Sequence, residues 1–149
     1  VVAMMSRYSI QEHEKIEYYK YRIRELRYLQ IERHNVKEDL KEIEFRLRLI
    51  PSPQIKQTYK SKYEYKNNCA LWNELIAEKE SLFIKEMNIS NAICSIHRIL
   101  DALTPNTREL AIDLLVNKKT VTYVTSKYNT RNPYQTINDE LRHVEIDSF

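Results

Sequence analysis

The chain has 149 residues, 42% of them apolar and 30% charged, with a formal net charge of +3 and no glycine. That length allows one or two small domains with a buried core, and the high charge suits helices with one apolar stripe and a solvated back. The lack of glycine argues against Rossmann and P-loop phosphate cradles and against an all-β fold rich in tight turns, and no apolar run approaches a membrane span.

The first five residues, "VVAMM", have no helical logic. Met4 or Met5 is expected as the natural start, and the leader is set aside from fold reasoning. Ser6 or Ser9 reads as a helix N-cap with acids in the following turn. From there Ile16, Tyr19, Ile23 and Leu26 recur at helical spacing. A second stripe, Val36, Leu40, Ile43, Leu47 and Ile50, has the 4-3-4-3 spacing of a coiled-coil seam. The phase changes at His34 and Asn35. Residues 9–50 therefore form either a helical hairpin or one long, gently broken helix. No glycine or proline stops the chain before Pro51 and Pro53, which favours the long helix. Residues 1–50 are assigned to an N-terminal helical, coiled-coil-like region.

Residues 51–68 carry four lysines and one glutamate among tyrosines, with no apolar stripe, and read as a basic linker. Its Lys–Tyr interleaving also suits contact with nucleic acid. Residues 69–103 read as a second long helix through Leu71, Leu75, Leu82, Ile89, Ile93, Ile96, Leu100 and Leu103, with Glu86 in one seam position. Trp72, Ile76 and Phe83 widen the stripe enough to meet more than one neighbour. The two seams, Val36, Leu40, Ile43 and Leu47 on one helix and Leu82, Ile89, Ile93 and Ile96 on the other, are expected to zip together and to support a homo-oligomer.

Residues 104–149 read as a compact three-helix unit. Thr104 and Pro105 open a helix whose inward face is Leu110, Ala111, Leu114 and Leu115, ending near Asn117. Thr120 caps a short helix with Val121, Val124 and Tyr128 inward. Asn129 takes the left-handed conformation usually left to glycine. Asn132 and Pro133 open a last helix with Ile137, Leu141 and Val144 on one side. Its other side offers Gln135, Asn138, Asp139 and Arg142, with Tyr134 at the edge. Asn and Gln can pair with adenine and Arg with guanine, while Lys118, Lys119, Lys127 and Arg131 flank the helix start where phosphates would pass. With Thr120 and Tyr134, these residues are the candidate DNA contacts of a helix-turn-helix. The unit holds six Lys/Arg and six Asp/Glu, so it is electrically neutral, whereas residues 7–68 carry fifteen bases against ten acids.

No nucleophile–base arrangement or phosphate-binding motif is present, and an enzyme is not expected. Cys94 and His97 lie three apart on a helix but lack the further ligands a zinc site needs, so neither metal nor other cofactor is expected. Two cysteines on one helix cannot staple a small fold and suit a reduced cytoplasm.

The order "EKIEYYKYRIRELRYLQIERHNVKEDLKEIEFRL", a Lys/Tyr linker, "NELIAEKESLFIKEMNISNAICSIHRILDAL" and "TRELAIDLLVNKKTVTYVTSKYN" resembles the ArpU/RinA-type phage transcriptional regulators. The resemblance covers most of the chain and lies in the order of elements. It implies an all-α protein whose C-terminal unit is similar to sigma-factor region 4. Such a protein would bind promoter DNA, activate late phage genes and have host RNA polymerase as a second partner. Tyr128, Asn132, Ile137 and Leu141 fill the family's roles around the turn. Two other readings fit the same elements: a small-terminase-like packaging subunit, and a helical protein-interaction module without DNA binding.

Overall fold

The computed structural model of the chain describes residues 8–50 and 62–145, and every regular element among them is helical. The helices are α1 (Ile10–Arg24), α2 (Leu26–Leu49), α3 (Lys62–Asp101), α4 (Pro105–Ala111), α5 (Val121–Tyr128) and α6 (Pro133–Leu141), with a π-helical turn (Ile112–Val116) continuing α4. No described helix is long and apolar enough to cross a membrane. The leader lies outside the described residues, as do residues 51–61 of the expected linker. Residues 62–68, expected as linker, are already helical and open α3.

Ser9 caps α1, its side chain accepting from the Glu12 N–H. The long-helix reading of residues 9–50 holds, but its irregularity is elsewhere. Helix runs unbroken through His34 and Asn35, and the interruption sits at Glu25, whose N–H donates to Arg22 O at 3.2 Å. Helical bonding resumes at once, Leu29 N–H donating to Glu25 O at 3.0 Å.

The chain divides into two compact units, residues 1–30 with 92–149, and residues 31–91. In the second, α2 and α3 form an antiparallel pair. Val36, Leu40, Ile43 and Leu47 of α2 are buried with Ile89 of α3, while Leu75 and Leu82 are half-buried. Glu86, the odd seam residue, is met by Lys37 at 3.9 Å. Lys79–Glu44 and Lys85–Glu32, each at 3.6 Å, bracket the same seam. This seam is satisfied within one chain. Val36, Leu40, Ile43, Leu47 and Ile89, assigned from sequence to oligomerisation, are buried without a second copy, and Leu82 is partly covered; Ile93 and Ile96 are buried inside the first unit. Leu71 and Phe83, expected to pack, are exposed.

In the first unit α1 packs on the π-turn and α6, and α4 packs on α5 and α6. Ile16, Ile23, Ile96, Ile99, Leu100, Leu115, Val124, Ile137 and Leu141 are sealed from solvent. The π-turn has a sequence cause. Leu114, Leu115 and Val116 are consecutive and all buried, which one face of a 3.6-residue spiral cannot accommodate. The wider turn turns all three inward, closed by Asn117 N–H to Ile112 O at 2.9 Å.

Candidate nucleic-acid interface

Of the capping residues read from the sequence in this unit, Thr120 and Asn132 act as expected, while Thr104 stands at the N-cap of α4 without a side-chain capping bond. Thr120 accepts from Tyr123 N–H at 3.1 Å, and Asn132 Oδ1 accepts from Gln135 N–H at 3.2 Å. Asn129 stands at φ 52°, ψ 47°, and ends α5 without glycine. Lys118 is the other described residue at positive φ, 54°, where the chain leaves the π-turn. A lysine there costs about 1 kcal/mol against glycine. α4, α5 and α6 are thus three short helices, the last two joined by a four-residue link, 129–132. Ile137, Leu141 and Val144 are buried, as expected; Val121, expected inward, is 47% exposed.

Asp113 in the π-turn anchors α5. Its carboxylate accepts from Tyr128 Oη, from Lys127 Nζ at 2.9 Å and from Asn117 Nδ2 at 3.3 Å. Burial pushes this carboxyl up, but the three hydrogen bonds outweigh burial and hold it below the usual carboxylate range. The hydrogen bond to Asp113 raises Lys127 above an ordinary lysine, and burial followed by the same carboxylate raises the Tyr128 phenol. Lys127 is therefore occupied structurally. Its ammonium also lies 5.7 Å from the Tyr123 ring centroid, and Lys119 reaches the same ring at 5.5 Å. The 119–123–127 spacing at i, i+4 was the readable signal for this cluster.

The candidate DNA residues separate into two groups. Lys118, Lys119, Thr120 and Arg131 are exposed, and none of the three cations has an ion pair among the described residues. The residues meant to read bases from α6 are held by the protein itself. Arg142 pairs with Glu12 and lies 5.7 Å over the Tyr8 ring. Lys15 Nζ donates to Arg142 O at 3.3 Å, and Tyr8 Oη donates to Asp139. The buried Lys20, ion-paired to Glu17 at 2.9 Å, lies 5.7 Å over the Tyr134 ring. Asn138 Oδ1 is buried but has no hydrogen-bond partner among the described residues. Gln135 Oε1 accepts from Asn132 Nδ2 at 3.3 Å. Of the three residues expected to stand clear of the fold, Gln135, Asn138 and Arg142, the last meets Glu12 of α1, which packs along α6, whereas Gln135 bonds its own cap residue Asn132.

On its opposite flank α6 is tied to α4. Glu140 accepts from Thr104 N–H at 2.8 Å, from Thr104 Oγ1 at 3.0 Å and from the buried Thr107 hydroxyl. Beside these helices Asn106, Thr107, Leu110, Lys127, Tyr128, Thr130 and Thr136 line an open cleft of about 280 Å³. Cys94 and His97 are both exposed, and no group of three or more His, Cys, Asp or Glu suited to a metal occurs among the described residues. No family model, curated protein or solved structure matches the chain.

Proposed function

We propose that residues 104–145 form a helix-turn-helix that binds duplex DNA, and that the protein is a phage or prophage transcriptional regulator. The observation that carries the reading is the α5–α6 pair. A left-handed asparagine and a capped, proline-started helix follow α5, α4 packs behind both helices, and Lys118, Lys119 and Arg131 lie exposed around them. The order of elements supports promoter DNA as the ligand and host RNA polymerase as a second partner. The contacts of α6 with α1 refine the mechanism. Lys118, Lys119 and Arg131 supply phosphate contacts, which give affinity without sequence preference. Base reading by Arg142 requires its exchange from Glu12 to a guanine edge.

Anisotropy titrations with duplex DNA over a salt series test this. Binding should be steeply salt-dependent, and Lys118→Ala with Lys119→Ala should flatten the slope by about two units. Arg142→Ala should then relax preference at one base pair, at about 1–3 kcal/mol. A full-length chain that binds no duplex at low salt refutes the proposal. That result would favour the second reading, a protein-interaction module, which the engagement of α6 by Tyr8, Glu12 and Lys15 supports.

A further inference from the structure

The outward face of α1 and the first turn of α2 is built like half of a helix pair. Ile10, Glu14, Glu17, Tyr21, Arg24 and Tyr28 follow one another at spacings of 4, 3, 4, 3 and 4. This is a heptad seam, and it lies opposite the buried stripe of Ile16, Tyr19 and Ile23. All six residues are exposed, with Ile10 at 78%, Tyr21 at 58% and Tyr28 at 67%. An outer face of solvated helix would carry small polar or charged side chains; three large ones at seam positions call for a partner.

The order of these residues selects the partner. Laid antiparallel on a copy of itself about a twofold axis near residue 19, the seam sets Ile10 opposite Tyr28, Glu14 opposite Arg24 and Glu17 opposite Tyr21, and repeats each pairing through the axis. The layers are complementary: apolar on aromatic, carboxylate on guanidinium, and Glu17 facing Tyr21, whose phenol also hydrogen-bonds Glu25 of its own chain. A parallel pairing would instead stack Glu14 on Glu14, Glu17 on Glu17 and Arg24 on Arg24, which like-charge repulsion opposes. Glu17 is already a firm carboxylate, since its hydrogen bond from Lys20 holds it below the usual range against the opposing effect of burial. Lys20 is buried and keeps its ammonium on this carboxylate at 2.9 Å, within its own chain.

We infer that this face is an antiparallel homodimer interface between two copies of the chain. It is distinct from the α2–α3 seam, which one copy satisfies alone, and it stands whether or not α6 reads DNA. Six side chains per copy make a small interface, so association is concentration-dependent and weakened by salt. The test is sedimentation equilibrium of the full chain up to about 300 µM, with charge reversal of the seam. Glu14→Arg and Arg24→Glu should each weaken the dimer at least about tenfold, because each puts like charges in facing positions. The double reversal should recover wild-type association to within about threefold, since it restores opposite charges in the same register. Both positions are exposed, so neither change disturbs the core. A wild-type chain that stays monomeric throughout overturns the inference. So does a dimer that ignores the single reversals, or one that the double reversal fails to rescue.

Discussion

The two compact units solve the burial problem differently. In residues 31–91 two helices share one seam, and its buried members, from Val36 at 2% to Leu47 at 8%, all keep a trace of solvent. Each helix there leaves large apolar groups outside, among them Phe45, Leu49, Phe83, Ile84 and Met87. In the other unit short helices meet from several sides, and among the described residues every large side chain below 2% exposure belongs to it. A pair of helices covers one stripe on each partner, whereas crossing helices enclose a side chain on all sides. Length of helix is therefore a poor guide to where the stability lies.

The sharpest way to break this contrast is to delete the same side chain from both units. Leu141→Ala, from a fully enclosed site, should cost about 3–5 kcal/mol, while Leu47→Ala at the end of the hairpin seam should cost about 2 kcal/mol. Urea denaturation followed by circular dichroism measures both. Equal losses would mean that the hairpin core is as closed as the crossing-helix core.

A polar counterpart comes next. Glu140→Ala removes the acceptor for three donors, one of them on the buried Thr107, and should cost about 2–3 kcal/mol. Glu140→Gln keeps an oxygen and should recover about half of that loss. If Glu140→Ala were neutral in the same denaturation experiment, α4 and α6 would be joined by apolar packing alone.

How much of this contrast was legible depends on the distance over which each signal acts. Thr120, Asn129, Asn132, Pro105 and Pro133 announce helix ends because their chemistry is local, and the structure uses all of them at those ends. The inward stripe of Ile137, Leu141 and Val144 was legible for the same reason. The cover on α6 was not. Tyr8 and Asp139 lie 131 residues apart and Lys15 and Arg142 lie 127 apart, and no local pattern couples them. Lys20 follows the buried Ile16 at i+4, so its inward position was readable, but its partner Tyr134 was not. The seams of α2 and α3 were read as apolar and as zipping together; that Ile93 and Ile96 would leave that seam for the other unit depends on contacts that spacing alone does not specify.

Acid should separate the units further. Asp113 has a depressed folded value, so its contribution is present above the ordinary carboxylate range and is lost as pH falls through that folded value. The side chain is 13% exposed, and its interactions should be worth about 1 kcal/mol near neutrality. Measured against Asp113→Asn, the wild-type advantage should be complete at about pH 6 and shrink below about pH 4. An advantage that grew on acidification would reverse the assigned sign and remove Asp113 as the anchor of α5.

The smallest effect concerns the three ion pairs across the hairpin. Lys37–Glu86, Lys79–Glu44 and Lys85–Glu32 span 3.6–3.9 Å, and each has one partner at least 44% exposed. Solvent screens such pairs, and holding two long side chains in place offsets much of their attraction. A double-mutant cycle on Glu44 and Lys79 should therefore give a coupling of about 0.2–0.5 kcal/mol, diminished further by salt. Their role is to favour one register of the seam, because a shifted antiparallel pairing would separate all three pairs at once. A coupling above about 1 kcal/mol would show that the hairpin depends on its charges as much as on Val36, Leu40 and Ile43, and would break the contrast from the side of the weaker unit.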